Sequence, residues 1–120
     1  MNTAAIVLTG LVAVAHLYFL VIESFLWTTP FGRRTMGTTK EVAELSYPLA
    51  KNQGLYNGFL SAGLVWGLLI AGPERLHVLT FFLTCVVIAG IVGAITANLK
   101  ILFVQALPGA LALGAVWLAR

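Results

Sequence analysis

The stretch TAAIVLTGLVAVAHLYFLVIESFLW, residues 3–27, decides how this chain folds. It is apolar and long enough to span a bilayer, which takes about 20 residues of helix. Yet it carries His16 and Glu23, and these do not stand alone: Asn2, Thr9, His16 and Glu23 recur at a spacing of seven. Seven residues turn a helix through nearly two full turns, so the four form one stripe with about 20° of drift per step. An ionisable side chain in hydrocarbon costs on the order of 2.5–3.5 kcal/mol on insertion scales. The stripe is therefore expected to face protein or water and not lipid. No basic residue precedes the stretch, and it is longer than a signal-peptide core, so a retained first helix is expected.

The composition agrees with a membrane protein. Of 120 residues, 60% are hydrophobic and 9% are charged. A soluble domain carries about 25% charged residues, so these charges could not cover a soluble surface. The net charge of +3 comes from basic residues between the apolar segments, without a Lys/Arg run interleaved with aromatics. That excludes nucleic acid as a partner and makes the lipid bilayer the expected one. The single cysteine, Cys85, excludes an intrachain disulfide and any multi-cysteine metal site.

Three more apolar segments follow, at about 52–71, 76–98 and 101–118. None alternates with period two, so helices and not barrel strands are expected. The fold class is all-α: an integral membrane, up-and-down, four-helix transmembrane bundle forming one domain over 1–120. Proline should stop the first helix at Pro30 and bias Thr29 toward extended geometry. Residues 28–51 form the one long connection, with a short surface helix at 39–45 capped by Thr38 or Thr39 and interrupted by Pro48. Val42, Leu45 and Leu49 would give that helix an apolar edge. Pro108-Gly109 should kink the last helix and free a carbonyl near Val104.

Orientation follows from the basic residues. Arg33, Arg34, Lys40, Lys51 and Lys100 lie on one side; Arg75 and Arg120 lie on the other. The first side is expected in the cytoplasm of a bacterial inner membrane, with both termini on the periplasmic or outer side. Small residues four apart, Gly54 with Gly58, Gly63 with Gly67, Ala89 with Gly93 and Ala97, and Gly90 with Ala94, mark where helices approach closely.

This topology gathers the polar side chains in the cytoplasmic half. Glu23, Asn52, Gln53, Tyr56, Asn57, Thr96, Asn98, Lys100 and Gln105 all fall there, with His16 near mid-depth. Glu23 and His16 are the expected acid/base pair, about 10 Å apart along the axis. Trp27, Asn52, Gln53, Tyr56, Asn57, Asn98, Lys100 and Gln105 are the expected ligand-binding residues, with Lys100 or Asn57 as the partner of Glu23. One histidine and one carboxylate do not make a metal site, and no nucleotide, hydrolase or metalloprotease motif implies a cofactor.

At His16-Leu17-Tyr18, Glu23-Ser24-Phe25-Leu26-Trp27-Thr28-Thr29-Pro30, Gly32-Arg33, Asn52-Gln53-Gly54-Leu55-Tyr56-Asn57-Gly58 and Lys100-Ile101-Leu102-Phe103-Val104-Gln105 the chain resembles the domain-of-unknown-function 1304 family of small bacterial membrane proteins. The resemblance covers nearly the whole chain and implies a four-helix membrane protein without an assigned activity. It departs at Ala106, where glycine is expected. Its motifs coincide with the polar cluster, which favours a pocket open to the cytoplasm. Three functions compete. The first is acid/base isomerase-type chemistry on an apolar, membrane-embedded small molecule. The second is a proton-coupled transporter or channel, for which four helices would need a homodimer. The third is a non-catalytic membrane subunit.

Overall fold

The stretch at 3–27 folds as helix α1, Thr3–Phe25, in a computed structural model that describes residues 1–120. All the regular structure is helical: α2 Pro30–Met36, α3 Lys40–Leu69, α4 Glu74–Thr96, a π-helical segment Leu102–Ala106, and α5 Leu107–Leu118. Helices α1 and α4 are each long and apolar enough to cross a membrane; Leu102–Leu118 is a shorter apolar stretch.

The polar stripe of α1 is turned inward. Thr9, His16 and Glu23 are all buried. Asn2 departs from the expectation: it is exposed, and its Oδ1 accepts the Ala5 amide at 3.0 Å. The free amides of a first helical turn need an acceptor, and capping takes Asn2 out of the stripe. Thr29 is extended (ψ 157°) and caps α2, its Oγ1 accepting from the Gly32 amide at 3.1 Å while donating to the Leu26 carbonyl. Gly37, at φ 67°, closes α2 in the left-handed conformation that glycine adopts without strain.

Two expectations fail in α3. The second long helix begins at Lys40 and not near 52, so residues 28–51 are mostly helical and the short surface helix is its first turns. Pro48 lies inside it without interrupting it. A proline removes one amide from the ladder and crowds one carbonyl, at a cost of about 3 kcal/mol. Contacts on either side of Pro48 offset that cost: the Tyr47 hydroxyl donates to the Ser24 carbonyl at 2.8 Å, and Ser24 Oγ donates to the Lys51 carbonyl at 3.0 Å. Thr39 caps the helix by accepting from the Val42 amide at 3.3 Å.

The chain divides into two compact units, residues 1–14 with 60–120, and residues 15–59. The first has a core of Ala5, Val12, Leu64, Leu79, Leu83, Val86, Ala112 and Val116. The glycines of its stripes are contacts, as expected, whereas Ala89 and Ala97 of the stripe on α4 are exposed. A methyl on Gly63 would strike the Phe82 ring, and one on Gly67 would strike Leu79, so α3 and α4 approach closely there. Gly90 of α4 lies against the backbone of Ala106. The distortion expected at Pro108 takes the form of the π segment, where the Leu107 amide reaches five residues back to the Leu102 carbonyl. At the end of α3, Gly72 turns the chain at φ 84°, and Arg75 Nε donates to the Ile70 carbonyl at 2.7 Å.

The second unit contains the end of α1, all of α2 and the first two-thirds of α3. Gly54 and Gly58 set its spacing: a methyl on Gly54 would strike Ser24 Oγ, and one on Gly58 would strike Leu20.

Candidate functional site

The close approach at Gly54 brings the last turns of α1 onto α3 within the second unit, and the polar groups there meet in pairs. Glu23 is 5% exposed, and its Oε1 accepts a hydrogen bond from Asn57 Nδ2. The Gln53 side chain, one turn earlier on α3, also hydrogen-bonds the Glu23 carboxyl. Asn57 is buried, whereas Gln53 is exposed. The carboxyl thus has one donor in the interior and one at the surface. Both are amides, which orient a carboxylate without supplying a counter-charge.

A second layer lies one turn further along. Ser24 links to α3 twice, through its hydroxyl to the Lys51 carbonyl and through its own carbonyl from Tyr47. Trp27 Nε1 donates to Ser46 Oγ at 3.0 Å, and Ser46 Oγ donates to the Val42 carbonyl at 2.6 Å. The indole of Trp27 is therefore anchored to α3. Ser24, Ser46 and Tyr47 were not picked out from sequence. Gly54-x-x-x-Gly58 was the available signal, because a glycine that admits a neighbouring helix also admits that helix's small polar residues.

His16 is buried at 1% exposure with its ring edge-on to Phe19, centroids 5.2 Å apart. It shares the inward face of α1 with Glu23, about 10 Å away along the axis at 1.5 Å per residue. Asn52 and Tyr56 are exposed on α3, Asn52 Nδ2 donating to Tyr56 Oη at 3.4 Å. Asn98, Lys100 and Gln105 belong to the first unit. There Asn98 Oδ1 accepts from the Lys100 amide at 2.9 Å and turns the chain out of α4. Lys100 is exposed, and Gln105 lies half-buried in the π segment. Of the two partners expected for Glu23, Asn57 is bonded to it.

Two shallow depressions mark the surface. One, of about 420 Å³, is lined by Pro48, Leu49, Lys51, Asn52 and Leu55. The other, of about 390 Å³, lies among Met1, Pro73, Arg75, Leu76, Val116 and Arg120. Neither is lined by Glu23 or His16. No three His, Cys, Asp or Glu side chains lie close enough together to hold a metal ion.

Residues 10–117 match the sequence profile of a family described as protein of unknown function (DUF1304). The chain is also similar to an uncharacterized protein, YpaA, of Lactococcus lactis subsp. lactis (strain IL1403), at 30% identity over 107 residues. The match covers 88% of this chain and 89% of that one. No solved structure matches.

Proposed function

The chain belongs to the DUF1304 family of proteins of unknown function, and from that premise we propose a multi-pass membrane protein whose Glu23 exchanges a proton with an apolar molecule held in the bilayer. Its spanning segments are α1, the apolar part of α3, α4, and the π segment with α5. One feature supports membrane insertion beyond the length of α1 and α4. Large apolar side chains stand exposed on all four segments, among them Leu11, Phe59, Ile95 at 80% and Leu118 at 89%. Soluble monomers rarely expose contiguous apolar surface on that scale. The inner-membrane orientation rests on the basic residues Arg33, Arg34, Lys40, Lys51 and Lys100, which the four-span reading assigns to the cytoplasmic ends of the segments.

The observation that carries the acid/base reading is a buried carboxyl in an apolar helix, with amide donors from Asn57 and Gln53. A lysine or arginine there would make an ion pair. Two amides leave the group able to give and take a proton, the work of a general acid or base. Intramembrane carboxyls are functional candidates by default. The exposed Gln53 marks the side from which a bilayer-dissolved molecule reaches Glu23. In this reading His16 is the second acid/base group, and Asn57 holds the carboxyl in position.

A second reading has one specific support. The Ser24–Lys51 and Tyr47–Ser24 bonds beside Glu23 make the whole set a clamp between α1 and α3, as in a non-catalytic subunit. Glu23→Gln separates the two. It keeps an oxygen for Asn57 and removes the acid. The acid/base reading expects Glu23→Gln to stay folded in the membrane, with stability within about 1 kcal/mol of the natural chain. The small-molecule content of its lipid extract, read by mass spectrometry, should nevertheless change. An unchanged extract and phenotype would leave the clamp, and then only Glu23→Ala should lower stability.

A further inference from the structure

The outward face of α3 carries a regular seam. Val42, Leu45, Leu49, Asn52, Tyr56 and Phe59 are separated by alternating steps of three and four residues. That is the 3.5-residue spacing of the a and d positions of a coiled coil. All six are exposed, Leu45 at 84% and Leu49 at 77%. They lie on the side of α3 away from Ala43, Ala50, Gly54 and Asn57, which are buried. We propose that this seam is the interface of a parallel homodimer, each copy covering it with the same face of its own α3.

Two observations favour a second copy over lipid. The first is length. Thirty residues of α-helix extend about 45 Å at 1.5 Å per residue, against a hydrocarbon core of about 30 Å. The charged start of α3, with Lys40, Glu41 and Glu44, is the part that stands outside. Val42, Leu45 and Leu49 are in that part, where acyl chains do not cover them. The second is Asn52, in the middle of the seam. Facing lipid, its amide would have only the Tyr56 hydroxyl, 3.4 Å away on the same helix. Facing its own counterpart it pairs, and a single buried asparagine at a core position fixes register and number of strands.

The parallel direction rests on the membrane reading above. Two copies inserted the same way present α3 running the same way, so a two-fold axis along the membrane normal brings each seam residue to its own equivalent. The other faces of α3 remain free to hold α1.

Single cysteines, placed one at a time at 42, 45, 49, 52 and 56 and at the off-seam positions 44, 51 and 55 in a Cys85→Ser background, test this in native membranes. Sedimentation of each variant with the membrane fraction is read in the same sample, so loss of membrane insertion is distinguished from loss of the dimer. Mild oxidation should cross-link the seam positions at least five-fold more than positions 44, 51 and 55. The unmodified chain, fluorescently tagged and diluted in lipid bilayers, should bleach in two steps. Membrane-embedded protein that cross-links without this periodicity, or not at all, overturns the proposal, as does single-step bleaching.

Discussion

A methyl group on Gly54 would enter the space that Ser24 Oγ fills, so the hydrogen bonds around Glu23 depend on a side chain that is absent. Gly54→Ala should therefore lower stability by about 1–3 kcal/mol, as overpacking does. Gly114 provides the control. Nothing lies within 4 Å of where its Cβ would be. Gly114→Ala should be neutral or stabilising by up to about 1 kcal/mol, since alanine loses less freedom in a helix. Thermal unfolding of the two variants in one detergent checks both; equal shifts would remove Gly54 from the contact. Both glycines were visible in the sequence, but only the one with a partner four residues on, Gly58, read as a contact. Glu23 was legible for a similar reason, because a carboxyl in an apolar run must be buried against something. Its choice of Asn57 over Lys100 was not legible, since both lie on the same side of the sequence-derived bundle.

Among the elements, α3 departs furthest from the pattern expected of it. Pro48 reads locally as a breaker, and the helix passes through it. Local propensity lost because Tyr47 and Ser24 tie the flanking turns to α1 with hydrogen bonds made between residues 23 and 27 positions apart. Pro48→Ala restores an amide for the Glu44 carbonyl and should raise stability by about 1–3 kcal/mol. A fall in unfolding temperature would mean that the interruption is itself needed. The π segment makes the opposite case. Pro108 announced a disturbance, and one is present at Leu102–Ala106. Its form depends on Gly90, whose missing side chain lets the Ala106 backbone come close. Gly90→Ala collides with backbone, which cannot rotate away. It should cost more stability than Gly54→Ala, measured in the same unfolding series.

For the molecule as a whole, insertion and orientation are the properties to test. A cysteine at position 38 in the Cys85→Ser background should react with an impermeant thiol reagent only from the cytoplasmic side. One at position 73 should react only from the other side. The reverse pattern, or release of the chain from membranes by alkaline wash, would overturn the membrane arrangement. The helical class, the inward stripe of Thr9, His16 and Glu23, and the glycine contacts of α3 were all determined by the sequence alone. Each is a matter of period, and period survives whatever packs against the helix. The capping role of Asn2, the continuity of α3 through Pro48, and the links from Ser24 and Trp27 to α3 were decided only by tertiary structure. Each depends on which groups distant in the chain come within 3 Å, and spacing along one helix carries no information about its neighbour.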